Sequence, residues 1–398
     1  MIFCGEERCI PIITDGFTYI AVLVFFSSLF VMMEKSKEWA ILRIMPSVVL
    51  IYVVSMVFCT LGAWDMAATK PIYRELSPVL THGMIFTMLL RCDVRKIFRI
   101  GPRMLLAFFS ASVTIMAGIV VAFLLLKDQL GSSAWMALGA LSGSWIGGYD
   151  NIAEIQATLN IPEIDMSGAF IVDSINYTIW VLSLLWLITF ASRFNRWNKA
   201  DTTKLDAVSQ DLQEDDAKRQ EKSSFPHIFL ILGTAFLVTA IAANIGPLLY
   251  IVFPFFTKSI WTILFIALFG IIAAFSPLGR ISGSSEVANV MLYLLIALIA
   301  SRTSLLQFGD APLWVLAGFI ILGTHLLLML LIARIFKLDM FTLCISSIAN
   351  IGGAASAPIV ASIYSGPLVP IGIVMAIIGH IIATPLGIWL AGFLKMLL

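Results

Sequence analysis

The sequence predicts an all-α polytopic membrane protein built as two inverted repeats, each of about five transmembrane helices plus one broken or re-entrant helix. Three observations predict it. Of the 398 residues, 60% are hydrophobic and 12% charged, against roughly 45–50% and about 25% in an average soluble domain. So much apolar surface cannot be hidden from water, and the solvent is lipid. Apolar runs of spanning length recur along the chain, and a glycine-broken motif, "IGG", occurs at 146–148 and again at 351–353, an offset of 205 positions.

A spanning helix needs about 20 mainly apolar residues. Runs near 16–33, 41–63, 104–126, 167–191, 225–243, 259–277, 312–334 and 368–394 qualify, with shorter candidates near 78–90 and 285–301. Segments 133–160 and 340–364 are long enough but interrupted by glycine and polar residues. The long hydrophilic stretch 192–224 reads as a solvated cytoplasmic linker between an N-terminal unit, 1–191, and a C-terminal unit, 225–398. At the same offset Pro162 meets Pro367, Ser142 meets Ser347, Leu138 meets Leu343 and Gly118 meets Gly323, which signals internal duplication.

Lys and Arg in short loops set orientation. "EKSKEWAILR", "RCDVRKIFRIGPR" and "RFNRWNK" all carry cytoplasmic charge. Three full crossings between the second and third of these would put the linker outside. A segment 133–160 that dips into the membrane and returns removes the conflict and inverts the second half. The alternative is a broken helix that crosses. The N-terminal "MIFCGEERC" has acids where a secretory signal has bases, so no cleaved signal is expected. Cys4, Cys9, Cys59, Cys92 and Cys344 have no metal-ligand spacing; Cys4 and Cys9 are either a small disulfide or two free thiols.

Lipid tolerates irregular backbone only where protein or a wet cavity surrounds it. The two breaks are therefore the strongest functional pointers, because freed carbonyls there coordinate cations and helix N-termini attract anions. Close packing of small residues is the structural alternative. Candidate solute-binding residues are Ser142, Ser144, Gly147, Gly148 and Tyr149 at the first break, with Asn350, Gly352, Gly353 and Ser356 at the second. Candidate ion-binding or coupling residues are Asp150, Asn151, Asp173, Asn176 and Ser347. Carboxylates at membrane depth are expensive and usually functional. Na⁺ at Asp150, Asn151 and Asn350 is one expectation; a proton carried by a carboxylate is the other. Glu154 reads equally as functional or as a solvated residue near the surface. Asp173 and Asn176 suggest one polar stripe turned inward. His325 and His380 read as neutral rings bonded to neighbouring helices, with proton relay the alternative.

HExxH, CxxC, P-loop and GxSxG patterns are absent from the sequence, so no enzyme is expected, and no cofactor beyond Na⁺ or H⁺ as coupling ion. A net charge of +1 argues against a nucleic-acid partner. The expected partners are a small-molecule solute and the lipid bilayer.

"GSWIGGYDNIAEIQATLNIP", "FIVDSINYTIW" and "SIANIGGAASAPIVASIY" resemble the matching stretches of the YjcL-like family of bacterial membrane proteins of unknown function. More distantly, the chain resembles the superfamily of bile acid:sodium, glutamate:sodium and citrate:sodium symporters and cation:proton antiporters. That resemblance implies inverted repeats, a mobile core domain, a scaffold domain that dimerises, the bacterial inner membrane and elevator-type alternating access, with the two glycine breaks forming the solute and ion site. The chain departs from these relatives at Tyr149 and Asp150, where they tend to have small residues. The expected function is Na⁺- or H⁺-coupled symport of a small anionic or peptide-like solute. Cation:proton antiport and a non-transporting scaffold or receptor are the alternatives.

Overall fold

In hydrocarbon each backbone N–H and C=O must pair within the segment that carries it, so the apolar runs form helices. The computed structural model describes residues 12–36, 47–90, 102–203, 205–207, 209–210, 224–254, 256–304 and 312–398. Among these, the elements longer than a short turn are fifteen α-helices, and β pairing is limited to an isolated bridge between Ile13 and Trp64. The first half holds α1 (Gly16–Ser36), α2 (Ser47–Thr60), α3 (Lys70–Leu89), α4 (Pro102–Leu130), α5 (Ala134–Gly147), α6 (Tyr149–Thr158) and α7 (Glu163–Leu187). A 3-10 turn at Ile188–Phe190 leads to α8 (Ala191–Asn198). The second half repeats the order: α9 (Phe225–Val252), α10 (Lys258–Ala274), α11 (Ser284–Ala300), α12 (Pro312–Phe336), α13 (Met340–Ile351), α14 (Gly353–Tyr364) and α15 (Val369–Lys395).

Among the described residues six helices are long and apolar enough to cross a membrane: those beginning at Gly16, Pro102, Ile164, Phe225, Pro312 and Val369. Two expected full spans are shorter. Run 259–277 forms α10, 17 residues, because Phe275 caps it and a 3-10 turn begins at Pro277. Run 41–63 forms α2, 14 residues, with part of the run outside the described residues. The short candidate 78–90 instead extends back to Lys70, and its first turns are polar enough to escape an apolar scan. The polar stretch after 191 is docked at its start, where buried Asn198 donates to Ala333 O at 2.9 Å and Leu338 O at 2.7 Å.

Helices at matching places meet each other antiparallel. Gly118 of α4 lies against Ile321 of α12, and Thr114 bonds His325 one turn further on. In the same way Gly83 of α3 lies against Met291 of α11, while Thr69, just before α3, accepts from Arg302, just after α11. α4–α7 pack chiefly with α12–α15, and α1–α3 pack chiefly with α9–α11. Within the second group α1 and α9 lie outermost, with 22% and 28% of their most apolar windows buried, against 50% for α4 and α15. Lipid-facing side chains on these outer helices, Phe229, Leu237 and Phe25 among them, stay apolar because hydrocarbon carries no penalty for them.

Candidate functional site

α5 and α6 fold back on each other as a helical hairpin. α5 runs antiparallel to α15, with Gly139 against Ala391 and Gly147 against His380. α6 runs parallel to α15, with Asn151 beside His380, Glu154 bonded to Thr384 and Ile155 against Gly387. Ile155 also returns onto Gly143 of α5. α13 and α14 form the second hairpin. α13 runs antiparallel to α7, through Trp180–Ser347 and Tyr177–Gly352, and α14 doubles back along α15, with Ala357 against Gly372. Residues 133–160 and 340–364 are thus hairpins, not helices broken in passing.

The hairpin tips touch. A Cβ on Gly353 would sit 3.0 Å from Gly147 O and 3.3 Å from Gly148 Cα. Gly148 is the single residue between α5 and α6, with φ +107°, and Gly353 opens α14 with φ +59°. L side chains rarely adopt that region, at a cost of roughly 1–2 kcal/mol, so glycine at both tips follows from the turn. Gly147 is glycine for space: its Cβ would meet Gly379 O at 2.6 Å. The N-terminal ends of α6 and α14 and the C-terminal ends of α5 and α13 converge here, so the tips offer main-chain donors and acceptors together.

Around the first tip the polar residues bond to α7 and α15. Asp173 accepts from Ser144 Oγ at 2.8 Å and from Trp145 Nε1 at 3.0 Å, tying α7 to α5. Asn151, 1% exposed, donates from Nδ2 to Gly148 O at 3.2 Å, while Thr384 Oγ1 lies 2.9 Å from its Oδ1. His380 Nδ1 is 2.7 Å from Gly147 O, and because a carbonyl only accepts, that nitrogen carries the hydrogen. Ser142 turns away and donates to Gly139 O. Tyr149 is exposed, its ring tilted against Phe170. The side chain of Asp150 lies outside the described residues.

The second tip is closed by neutral groups. Asn350, fully buried, donates to Ser346 O at 2.8 Å and Phe108 O at 3.3 Å and accepts from Ser112 Oγ at 2.6 Å. Ser347 Oγ accepts from Trp180 Nε1 at 2.9 Å and lies 2.9 Å from His325 Nε2. Thr114 Oγ1 donates to backbone carbonyls of its own helix, so His325 Nδ1 donates to Thr114 and Ser347 donates to Nε2. Every hydrogen in that chain is used with a neutral His325 ring bonded to neighbouring helices, the reading the sequence favours for it. Tyr177 on α7 bonds Ser356 on α14, and its ring covers Gly352.

Asn151 and Asn350 share no hydrogen-bond partner: Asn151 serves α6 and α15, Asn350 serves α4 and α13. One expectation changes here. Asp173 and Asn176 do not form one stripe. Asp173 faces α5, whereas Asn176 is pressed onto Gly318 of α12 and donates to Val315 O at 3.1 Å. A three-residue step along a helix shares a face only loosely when two neighbours wedge against it. Tyr177, Trp145, Trp180 and Thr384 close the tips and were absent from the candidates; His380, which the sequence singles out as a ring bonded to a neighbouring helix, joins them. Tyr177 and Trp180 lie in the same quoted stretch as Asp173, four and seven positions on, a helical spacing that could have flagged them.

Cys59 and Cys344 are buried free thiols, and Cys4, Cys9 and Cys92 lie outside the described residues. Among the described residues no cluster of three His, Cys, Asp or Glu side chains could hold a metal ion.

Helices of spanning length, enclosing two hairpins whose polar groups bond inward, define a multi-pass membrane protein. By sequence the chain belongs to the family described as "Protein of unknown function (DUF819)", matched over residues 21–397. It is 25% identical over 387 residues to the "Uncharacterized membrane protein YjcL" of Bacillus subtilis (strain 168), an alignment covering 91% of this chain and 93% of that protein. The family resemblance drawn from the three motif stretches is borne out, and the match spans both hairpins.

Proposed function

We propose that this chain is a secondary active transporter of the bacterial inner membrane, coupling Na⁺ or H⁺ to symport of a small anionic or peptide-like solute. The observation that carries the reading is the contact between Gly147, Gly148 and Gly353: two matched interruptions, distant in sequence, meet inside protein. A membrane chain tolerates such backbone only inside protein or against a wet cavity, and paired breaks of this kind form the solute and ion sites of transporters. Converging helix ends of both polarities suit a solute with an anionic and a donor group together.

The antiparallel meeting of α4 with α12 and of α3 with α11 supports inverted repeats. On that reading 133–160 and 340–364 re-enter the membrane, and the 192–224 linker is cytoplasmic. α4–α7 with α12–α15 would be the mobile core, and α1–α3 with α9–α11 the scaffold, whose outer apolar helices would also form a homodimer. The chain is proposed not to be an enzyme. Cation:proton antiport is the second reading, favoured by one observation: Asp173 is a carboxylate bonded within one turn of the first tip.

Flux in proteoliposomes separates them. Accumulation of a labelled solute driven by an inward ion gradient supports symport, and solute-free exchange of Na⁺ for protons supports antiport. Solutes are found first by thermal-shift screening, since a ligand that prefers the folded form raises its unfolding temperature. Absence of both solute accumulation and Na⁺-for-proton exchange, with every screened solute leaving the unfolding temperature unmoved, would favour a scaffold or receptor.

A further inference from the structure

The end of the bundle where α8 crosses the end of α12 carries a charge imbalance that the chain does not settle by itself. α8, "ASRFNRWN", has Arg193 and Arg196 one turn apart and is followed by Lys199; the last turn of α12 has Arg334 and is followed by Lys337. All five side chains are exposed, and among the described residues none of them meets a carboxylate. The acids close by are engaged elsewhere. Asp201 pairs with Arg103 at 3.9 Å, Asp339 accepts from the N–H and the hydroxyl of Thr342, and Asp206 accepts from Thr202. Like charges one turn apart on a helix repel each other, so these pairs call for an anion from outside the chain.

Basic residues at one end of a membrane protein follow from insertion alone. Insertion does not require that they be held in place, and here they are. Asn198 bonds the carbonyls of Ala333 and Leu338, Asn195 Oδ1 accepts from the Met340 N–H at 2.8 Å, and Arg334 Nη1 donates to Trp197 O at 3.0 Å. The Arg334 guanidinium lies over the Trp197 ring, 5.1 Å from its centroid, and Arg193 lies over Phe190 at 5.9 Å. A ring face steadies a guanidinium without neutralising it. Arg334 spends on Trp197 O one of its five N–H groups. The aromatic groups belong to a membrane boundary: Trp186 and Trp197 are both exposed, Trp186 packing on Phe190 and Trp197 on Phe194. On α12, Leu331 and Ile335 are exposed within one turn of Arg334, an apolar wall beside the cations.

We infer that the junction of α8 with the end of α12 binds an anionic phospholipid, its phosphate among these arginines and lysines and its acyl chains against Leu331, Ile335 and the tryptophans. The charges are complementary, since each cation at an anionic membrane surface is attracted to it. The chemistry suits phosphate, because a guanidinium presents paired N–H groups to its oxygens. The apolar wall beside the cations selects a lipid over a free phosphate. The site exists once per chain: at the 205-residue offset Gln129 and Ser132 stand where Arg334 and Lys337 do, and α4 runs antiparallel to α12, so those positions lie at the opposite end of the bundle. Met340 opens α13, so a lipid held here fixes α8 against the base of the second hairpin. The inference rests on charge and packing and stands with or without transport.

The test is thermal unfolding of the purified full-length protein in detergent with added phosphatidylglycerol, phosphatidylethanolamine or inorganic phosphate. A ligand that prefers the folded form raises the unfolding temperature. In the wild type phosphatidylglycerol is expected to raise it by a few degrees more than phosphatidylethanolamine does, and inorganic phosphate to leave it unmoved. The triple variant Arg193→Gln, Arg196→Gln and Lys337→Gln breaks no hydrogen bond within the protein and should unfold near the wild-type temperature without lipid. It is expected to bind phosphatidylglycerol on the order of a hundredfold more weakly, the scale of three cations at a membrane surface, and so to lose the difference between the lipids. Lys70→Gln, Arg74→Gln and Lys258→Gln together remove three exposed cations from the other end of the bundle and should keep that difference. The site is overturned by equal shifts with both lipids in the wild type, by an anionic preference that survives the first triple variant or vanishes in the second, or by inorganic phosphate reproducing the shift. Equal shifts, with the first triple variant unfolding early in the absence of lipid, would give the patch to the acidic stretch "QEDD" at 213–216 instead.

Discussion

The two hairpins share a backbone and differ in chemistry. Each is a helix–turn–helix of matching length, turned by a positive-φ glycine at positions 148 and 353; the first rests on α15, while the second packs on α15 and α4 and bonds α7. At the first, the side chains within reach include the carboxyl groups of Asp173 and Glu154. At the second, the corresponding work is done by Asn350, Ser347, His325, Ser112 and Tyr177, and no carboxylate bonds near the turn. Where Asn151 bonds α15, its counterpart Ser356 bonds α7. The two hairpins share what lipid enforces, the paired and enclosed main chain, and differ in their side chains. One hairpin gathers two carboxyl groups; the other is closed by neutral hydrogen-bonding side chains.

That contrast can be broken most severely at the shared turn. Gly147→Val drives a side chain into Gly379 O and His380, and a cost of about 3 kcal/mol is expected from overpacking. Gly353→Val adds the penalty of its positive φ, and both variants should unfold at clearly lower temperature in detergent. Equal stability in Gly353→Val would mean that the tips do not touch, and in Gly147→Val that α5 does not pack closely on α15.

The brace is tested next. Asn350→Leu removes the bonds to Ser112, Phe108 O and Ser346 O, leaves Ser112 its bond to Phe108 O at 3.3 Å, and should cost about 1–2 kcal/mol. Solute binding, once measurable, is expected to weaken only in proportion to the folded fraction. A specific loss of binding in folded protein would move Asn350 from brace to ligand.

Smaller effects separate the far ends of the hairpins. α13 begins with Asp339 as N-cap, accepting from the Thr342 N–H at 2.8 Å, whereas α5 begins at Ser133 without a side-chain cap. Asp339→Ala is expected to cost about 1 kcal/mol, and Ser133→Ala close to nothing. Burial pushes the Asp339 carboxyl above its ordinary value against the lowering by Thr342. The folded protein therefore holds that proton to higher pH than the unfolded chain does. Stability from this group is full below the ordinary carboxylate value and is lost as pH rises through the folded one. Asp339→Asn should flatten that part of the stability–pH curve, read by thermal unfolding.

The smallest structural effect is expected where the functional one is large. Asp173→Asn retains an oxygen to accept from Ser144 and Trp145, so stability should change by less than about 0.5 kcal/mol. Ion-driven flux should fall at least about tenfold if the charged hairpin is the working one. Unchanged flux would leave the two hairpins alike in function despite their chemistry.

Much of this was legible before any coordinates. Lipid acts on each segment by itself, so most spans and the two glycine breaks could be read locally, and helices about 205 positions apart occupy matching places in the order. Amphipathic α3 and short α10 were misjudged in length for the same reason: hydropathy reports exposure to lipid, and these ends are stabilised by neighbours. Which break is charged in effect, which asparagine braces and which hydroxyl bridges Glu154 depend on residues more than two hundred positions apart. Thr384 and Asn151, or Asn350 and Ser112, become partners only when antiparallel helices bring them within a hydrogen bond. Solvent fixed the segments; packing chose their chemistry.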